Sequence, residues 1–127
     1  MGLIASVSFT AGTATSATSS AIDTTGAKSI FVAVAVLGSR TVSFTDSKGN
    51  TWSSCSDYGN DFESEIRILY CRNPTVGSGH TFSGGHGFDP TAYSSFCVLA
   101  MSDELAASPL DQQSGARAGS GTASVST

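Results

Sequence analysis

The sequence TVSFTDSKGNTW, residues 41–52, predicts two short β-strands joined by a polar turn. Its first half alternates apolar and polar residues around Phe44, which is the period of a strand with one buried face. Asp46 and Gly49 are turn formers, because an aspartate side chain bonds to nearby backbone and glycine takes positive φ without steric cost. Trp52 opens the second strand, and a tight turn would place its ring opposite that of Phe44. The stretch therefore predicts a β-sheet and indicates no catalytic chemistry.

The rest of the chain continues this pattern of short strands. Residues 30–37, IFVAVAVL, are apolar on both faces and rich in β-branched side chains, so they predict a central strand that is covered on both sides. Further strands are predicted at residues 3–9, 65–71, 80–83 and 93–101, and a glycine-rich loop at residues 84–90. Short strands separated by turn signals are typical of an all-β fold, and we expect an antiparallel β-sandwich of jelly-roll or immunoglobulin-like type.

Alternation along these strands also predicts which side chains face the core. In the predicted strand at residues 65–71, Ile66, Ile68 and Tyr70 lie on one face, opposite Arg67, Leu69 and Cys71. The predicted core consists of Val32, Val34, Phe44, Trp52, Ile68, Tyr70, Phe82, Phe96 and Val98. We expect residues 1–113 to form one domain and residues 114–127 to form a tail rich in Gly, Ser, Ala and Thr.

Charge is sparse in this chain of 127 residues. Charged residues make up 13%, the net charge is −4, and the six cations are scattered along the sequence. This disfavours nucleic acid and anionic membrane surfaces as partners, since both require clustered cations. The longest apolar run, residues 30–37, is too short to insert across a bilayer. Residues 1–6 lack the charged start and apolar core of a secretory leader, so none is expected.

No arrangement of reactive side chains points to catalysis or to a cofactor. His80 and His86 lack the spacing to Cys or His that a zinc site needs, and no Gly-x-Ser-x-Gly motif is present. The acidic loop at residues 57–63 lacks the alternation of an EF-hand. We therefore predict no catalytic residues, no metal and no cofactor.

Three cysteines, Cys55, Cys71 and Cys97, are an odd number for a disulfide framework. Free buried thiols are expected, with a bridge between Cys55 and Cys71 as the alternative.

Four aromatic residues in or beside predicted loops are candidates for contact with a glycan. They are Tyr58, Phe62, Phe88 and Tyr93. Such side chains either stack on sugar rings or anchor their loops by packing back on the sheet. The sequence leaves both interpretations open.

Two strings, DSKGNTW at residues 46–52 and NPTVGSGHTF at residues 73–82, carry a family resemblance, supported by residues 20–27 and 108–115. Over residues 5–116 the chain resembles a recurrent β-sandwich domain of phage virion proteins and of bacterial surface or secreted proteins. Domains of this family continue with further strands. The resemblance therefore implies either that the chain is a piece of a longer protein or that a neighbouring subunit completes its sheet.

The resemblance and the composition together suggest two functions. The first is a non-enzymatic structural protein of a phage particle: a decoration, fibre or tail-associated subunit. It would lie in the virion and contact copies of itself and other virion proteins. The alternative is a carbohydrate-binding or adhesion module of a bacterial surface or secreted protein, with surface glycans as partners.

Overall fold

The computed structural model describes residues 2–37, 42–56, 58–60, 64–87 and 92–109, with only the backbone at residues 58–60 and 64. Nine strands lie in these ranges, and no helix does. The strands are β1 (Leu3–Thr10), β2 (Ser16–Thr18), β3 (Ser29–Leu37), β4 (Ser43–Asp46), β5 (Ser53–Ser54), β6 (Tyr58–Asn60), β7 (Ser64–Arg72), β8 (Phe82–Gly85) and β9 (Tyr93–Met101). The prediction of an all-β fold is confirmed.

The strands form two antiparallel sheets. The larger sheet has the order β1-β9-β3-β7-β5, with β6 also paired to β7, and the smaller sheet has the order β2-β8-β4. Strand β3 pairs with β7 on one side and with β9 on the other along all nine of its residues. This unbroken pairing fits the β-branched, alternating sequence of β3. The smaller sheet covers one face of the larger one, which gives a sandwich-like arrangement.

The hydrophobic core fills the space between the sheets. Strand β3 contributes Ile30, Val32, Val34 and Val36, β9 contributes Phe96, Val98 and Ala100, and β8 contributes Phe82. The Phe96 ring stacks on Phe9 at 4.9 Å and contacts Phe44 at 5.8 Å between centroids. These rings join edge strand β1, central strand β9 and the smaller sheet, so a few aromatic side chains hold the two layers together.

Strand β4 forms within residues 41–52 and β5 begins just beyond them at Ser53, but the two strands do not pair with each other. Strand β4 pairs with β8 in the smaller sheet, whereas β5 pairs with β7 in the larger one. The turn between them therefore crosses from one sheet to the other. Phe44 and Trp52 still meet, edge to face, with centroids 4.9 Å apart. Their contact runs through the core because each ring projects inward from its own sheet.

The predicted facing of β7 is wrong. Leu69 and Cys71 are buried between the sheets, while Ile68 is 47% exposed and Tyr70 is half-buried. The register explains this, because Ile68 lies opposite Ala33, which projects from the outer face of β3. Ile68 and Tyr70 therefore belong to the outer face of the larger sheet and not to the core. Residues 110–127, which include the predicted tail at 114–127, lie outside the described residues.

Gly84 allows the two sheets to approach each other. It lies in β8, in a segment for which the sequence predicted a loop, and it is buried beneath the Phe96 ring. A Cβ atom on Gly84 would stand 2.5 Å from Cζ of Phe96. Only glycine fits this position without displacing the ring on which the core is built.

We expect Gly84→Ala to lower the free energy of unfolding by about 1–3 kcal/mol, because the added methyl group overpacks the core against Phe96. Urea unfolding followed by circular dichroism measures the change. Ser43→Ala, at an exposed position on the neighbouring strand β4, is the matched control and should stay within about 0.5 kcal/mol of the parent. Equal stability of the two variants would contradict this account of the core.

Candidate functional site: a buried polar cluster and an uncovered sheet face

The turn between β4 and β5 is built around the carboxylate of Asp46, whose side chain is fully buried. Oδ1 accepts a hydrogen bond from the backbone N–H of Lys48 at 2.8 Å, and Oδ2 accepts one from that of Asn50 at 3.2 Å. Oδ2 also accepts from Nε1 of Trp52 at 3.0 Å. Asp46 thus forms the turn, as predicted, and also fixes the indole that begins the return to the larger sheet.

The same carboxylate reaches a second loop through His80. Nε2 of His80 donates to Oδ1 of Asp46 at 3.0 Å, and Nδ1 lies 2.9 Å from Oγ1 of Thr24. Thr24 accepts in turn from the backbone N–H of Gly77 at 3.1 Å. The His80 ring stacks on Phe82 with centroids 4.3 Å apart. One polar cluster therefore connects three loops at this end of the sandwich.

The chain of contacts from the Thr24 hydroxyl through the His80 imidazole to the Asp46 carboxylate has the same order of groups as a catalytic triad. In a triad, the hydroxyl is the nucleophile, the imidazole is its base and the carboxylate orients the base. Thr24 and His80 each have 0% exposure, so a substrate has no path to the hydroxyl in this arrangement. The cluster is suited to holding loops in place, since each polar group meets a partner where solvent is excluded.

We expect Asp46→Asn to destabilise the protein by roughly 2–4 kcal/mol. The new amide would direct N–H groups at donors, Trp52 Nε1 or His80 Nε2, and so leave buried hydrogen bonds unmade. Thermal unfolding measures the loss. Asp23→Asn, an exposed aspartate whose Oδ1 accepts from the Thr25 N–H, is the control and should lose much less. A loss at Asp46 no larger than at Asp23 would show that the cluster does not stabilise the fold.

The second feature is the outer face of the larger sheet. The side chains that project from it on β9, β3 and β7 are mostly apolar, and no described segment covers the middle of the three strands. The large exposed ones are Leu37 (52% exposed), Ile66 (63%), Ile68 (47%), Tyr93 (51%) and Leu99 (37%). The expectation that β3 is covered on both sides is therefore wrong for the described residues, because the smaller sheet covers only its inner face.

The smaller sheet provides an internal comparison. Its exposed side chains are hydroxylic: Ser16 and Thr18 on β2, and Ser43 and Thr45 on β4. A solvated sheet face normally carries such polar residues. The contrast between the two outer faces marks that of the larger sheet as unusual for a surface that stays in water, since large exposed apolar patches mark sites of interaction.

A groove of about 550 Å³ runs across this face. Its floor consists of small side chains: Ser8 and Thr10 of β1, Ser95 and Cys97 of β9, and Ala33 and Ala35 of β3. The register aligns them in two rows, Ser8–Cys97–Ala33 and Thr10–Ser95–Ala35.

Larger side chains surround these two rows. Ile68 and Ile66 continue the rows on β7 and close the groove at that end. Leu99 and Phe31 form the next row on one side of the groove, and Tyr93 and Leu37 form the next row on the other.

The outer face is almost without charge. Among its described side chains only Arg72 is charged, at the end of β7. Its guanidinium is held by the segment after β9, with Nε donating to the carbonyl of Leu105 and Nη1 to that of Ala107, each at 3.2 Å. Nearby, Oγ of Ser29 donates to the carbonyl of Asp103 at 2.7 Å. This segment covers one end of the face and leaves the groove open.

Of the four aromatic residues proposed for glycan contact, only Tyr93 has its side chain among the described residues, so the proposed contact stays a prediction. Tyr93 is exposed on the outer face, next to Leu37. Phe62 and Phe88 lie outside the described residues, and only the backbone of Tyr58 is described, paired with Ile66.

His86 is buried, with Nδ1 3.0 Å from Oγ of Ser94.

All three cysteines are free thiols. Cys97 lies in the groove, and Cys55 follows β5 with its N–H donating to the carbonyl of Ile68, so both belong to the outer face. Cys71 is buried on the inner face of β7. Burial raises the pKa of the Cys71 thiol, and the nearby Asp46 carboxylate adds to the rise.

We expect iodoacetamide at neutral pH to alkylate Cys55 and Cys97 of the dilute folded protein well before Cys71. The attacking species is the thiolate, and a raised pKa together with burial makes that form scarce at Cys71. Peptide mass spectrometry over a time course measures the three rates, and alkylation in denaturant, where the rates should converge, is the control. Equal rates in the folded protein would contradict the facing of β7 in the structure, which buries Cys71.

Within the part of the chain that the structure describes, no three His, Cys, Asp or Glu side chains are grouped so as to hold a metal ion. None of the described residues forms a helix long and apolar enough to cross a membrane. Comparison with protein-family models, with curated proteins and with solved structures found no match to this chain. The resemblance to the β-sandwich domain of phage virion and bacterial surface proteins therefore stays a prediction.

Sequence reasoning missed the outer face as a site, although its signal is present. Residues 30–37 are apolar on both faces, and residues 93–101 are nearly so. In a two-layer sandwich only one of those faces is covered from within. Two apolar faces on adjacent central strands therefore predict a second surface that another layer must bury.

Proposed function

We propose that this chain is a non-enzymatic structural subunit of a larger protein assembly, of the kind that forms a decoration, fibre or tail-associated part of a phage particle. It acts through contacts of its outer sheet face. The single observation that carries the proposal is the apolar, nearly uncharged surface of β9, β3 and β7, which shows 63% exposure at Ile66 and 52% at Leu37.

The chemistry of this face favours another protein over other classes of partner. Its one charged described side chain, Arg72, is held by carbonyl groups at the end of β7, and its hydroxyl groups are the small ones of the groove floor. The large exposed side chains are mostly apolar, and burial of apolar area is the main favourable term in most protein association. The low charge of the whole chain agrees with a subunit that packs closely among its neighbours.

The buried polar cluster supports the same role. Asp46 and His80 have no exposed side-chain surface and are used to hold loops. The cluster is thus structural, and the apolar sheet face is the exposed feature of the described residues on which the proposal rests.

We expect the chain to be recovered in the particle fraction of a density gradient prepared from its source culture, at a fixed ratio to the other particle proteins. Quantitative mass spectrometry measures the ratio. Leu99→Lys should reduce incorporation by roughly tenfold or more, because it buries an unpaired charge at the contact. Thr45→Lys places the same charge on the exposed hydroxyl face of the smaller sheet and is the matched control.

Two results would contradict the proposal. One is recovery of the chain only outside particles. The other is equal incorporation of both lysine variants, which would mean that the outer face of the larger sheet makes no assembly contact. A glycan array run in parallel would favour the carbohydrate-binding alternative if it showed binding that Tyr93→Ala abolishes.

A further inference from the structure

We infer that the outer face of the larger sheet binds the same face of a second copy of this chain, related by a two-fold axis that runs parallel to the strands between β3 and β7. The inference rests on the proposed function and adds to it the partner and the geometry of the contact. It is drawn from three properties of the face: its charge, its shape and its size.

The absence of charge makes the face compatible with its own copy. A two-fold axis places like surfaces against each other, so any charge near the axis would meet a similar one or be buried unpaired. The described side chains around the groove are all neutral. Arg72 lies beside the axis at the end of β7 but outside the groove, and its guanidinium is held by the carbonyl groups of Leu105 and Ala107. A partner with a charged surface would instead lose hydration without gaining a counter-charge here.

In the two rows of the groove, the relief of the face is self-complementary. Small side chains on β3, Ala33 and Ala35, lie directly beside large ones on β7, Ile68 and Ile66, in the same cross-strand rows. An axis between these two strands places β7 of each copy over β3 of the other. The isoleucines of each copy then enter the groove above the alanines of the other, and the two grooves are filled reciprocally.

The size of the face suits a stable contact. Strands of nine residues are roughly 30 Å long, and four neighbouring strands are roughly 20 Å wide. The side chains that rise above this plane add to its area, and each partner in a typical specific interface buries roughly 800 Å². Packed sheets lie about 10 Å apart, which allows the facing side chains to interdigitate.

The chain has a second candidate to cover the face, namely its own residues 110–127. Their only large apolar residues are Leu110 and Val125. Such a segment offers little apolar area to match Leu37, Ile66 and Leu99, whereas a second copy offers the same area that it covers. The copy is therefore the better occupant, and the two are distinguished by concentration dependence.

The two-fold geometry predicts which cysteines meet. Cys97 and Cys55 lie in the same cross-strand row, with β3 and β7 between them. Rotation about an axis between β3 and β7 places Cys97 of each copy over Cys55 of the other. A short bis-maleimide should therefore join Cys55 of one copy to Cys97 of the second, and no engineered residue is needed for the test.

The decisive experiment measures the mass of the protein in solution for the parent chain and for variants that exchange large and small side chains in the groove. Light scattering of the full chain across a wide concentration range should show two copies per particle at high concentration. Ala35→Ile fills the groove and should weaken the pairing roughly tenfold to a hundredfold. Ala35→Ile combined with Ile66→Ala exchanges the large and small positions and should restore it. Both sites are exposed in the single chain, so circular dichroism and thermal unfolding should be unchanged.

Each other outcome overturns the inference. Stronger self-association of the Ala35→Ile variant would indicate non-specific adhesion. It would mean that added apolar area strengthens the contact even where the proposed geometry leaves no room for it. Cross-links that do not join Cys55 to Cys97 would place the contact elsewhere. A single-chain mass with Cys97 protected from alkylation at every concentration would assign the face to residues 110–127. A single-chain mass with reactive Cys97 would leave the face to a different protein, and the proposed function would then stand or fall on the particle fractions alone.

Discussion

The carboxylate of Asp46 is the constraint on which the two-layer arrangement depends. The chain leaves the smaller sheet at β4 and enters the larger one at β5 within a few residues, so the turn must be rigid. Asp46 supplies that rigidity by accepting hydrogen bonds from Lys48, Asn50, Trp52 and His80. Because these donors come from the turn itself and from a distant loop, one buried group fixes the spacing of the sheets. The aromatic rings of the core then pack in the space so defined.

Much of the fold is visible in the sequence because strand signals are local. The run at residues 30–37 and the alternation at residues 3–9 and 93–101 predict β3, β1 and β9 closely. Pairing is less visible, because it depends on contacts between distant segments. The polar turn within residues 41–52 predicts a hairpin, yet the strands before and after it, β4 and β5, join different sheets. Nothing in the polar turn itself tells a hairpin from a crossover.

The facing of β7 shows a second limit of sequence reasoning. Alternation divides its residues correctly into two sets, but which set faces inward depends on register with β3. The predicted core takes Ile68 and Tyr70 from one set, whereas the structure buries Glu65 and Leu69 of the other. Glu65 is accommodated there because it is ion-paired with Arg67. The apolar content of a strand therefore does not decide by itself which of its two faces points to the core.

The distribution of hydroxyl residues argues that the uncovered face has a purpose in this molecule. Ser and Thr are abundant in the chain, and they occupy the exposed face of the smaller sheet and the outward positions of edge strand β1. On the central strands, most of the corresponding positions hold apolar residues such as Leu37, Ile66 and Leu99, although Ser95 is hydroxylic. Hydroxyl residues at these positions would solvate the face without changing the core behind it. The apolar side chains found there instead are the physical basis for the proposal that a second apolar layer lies against β3.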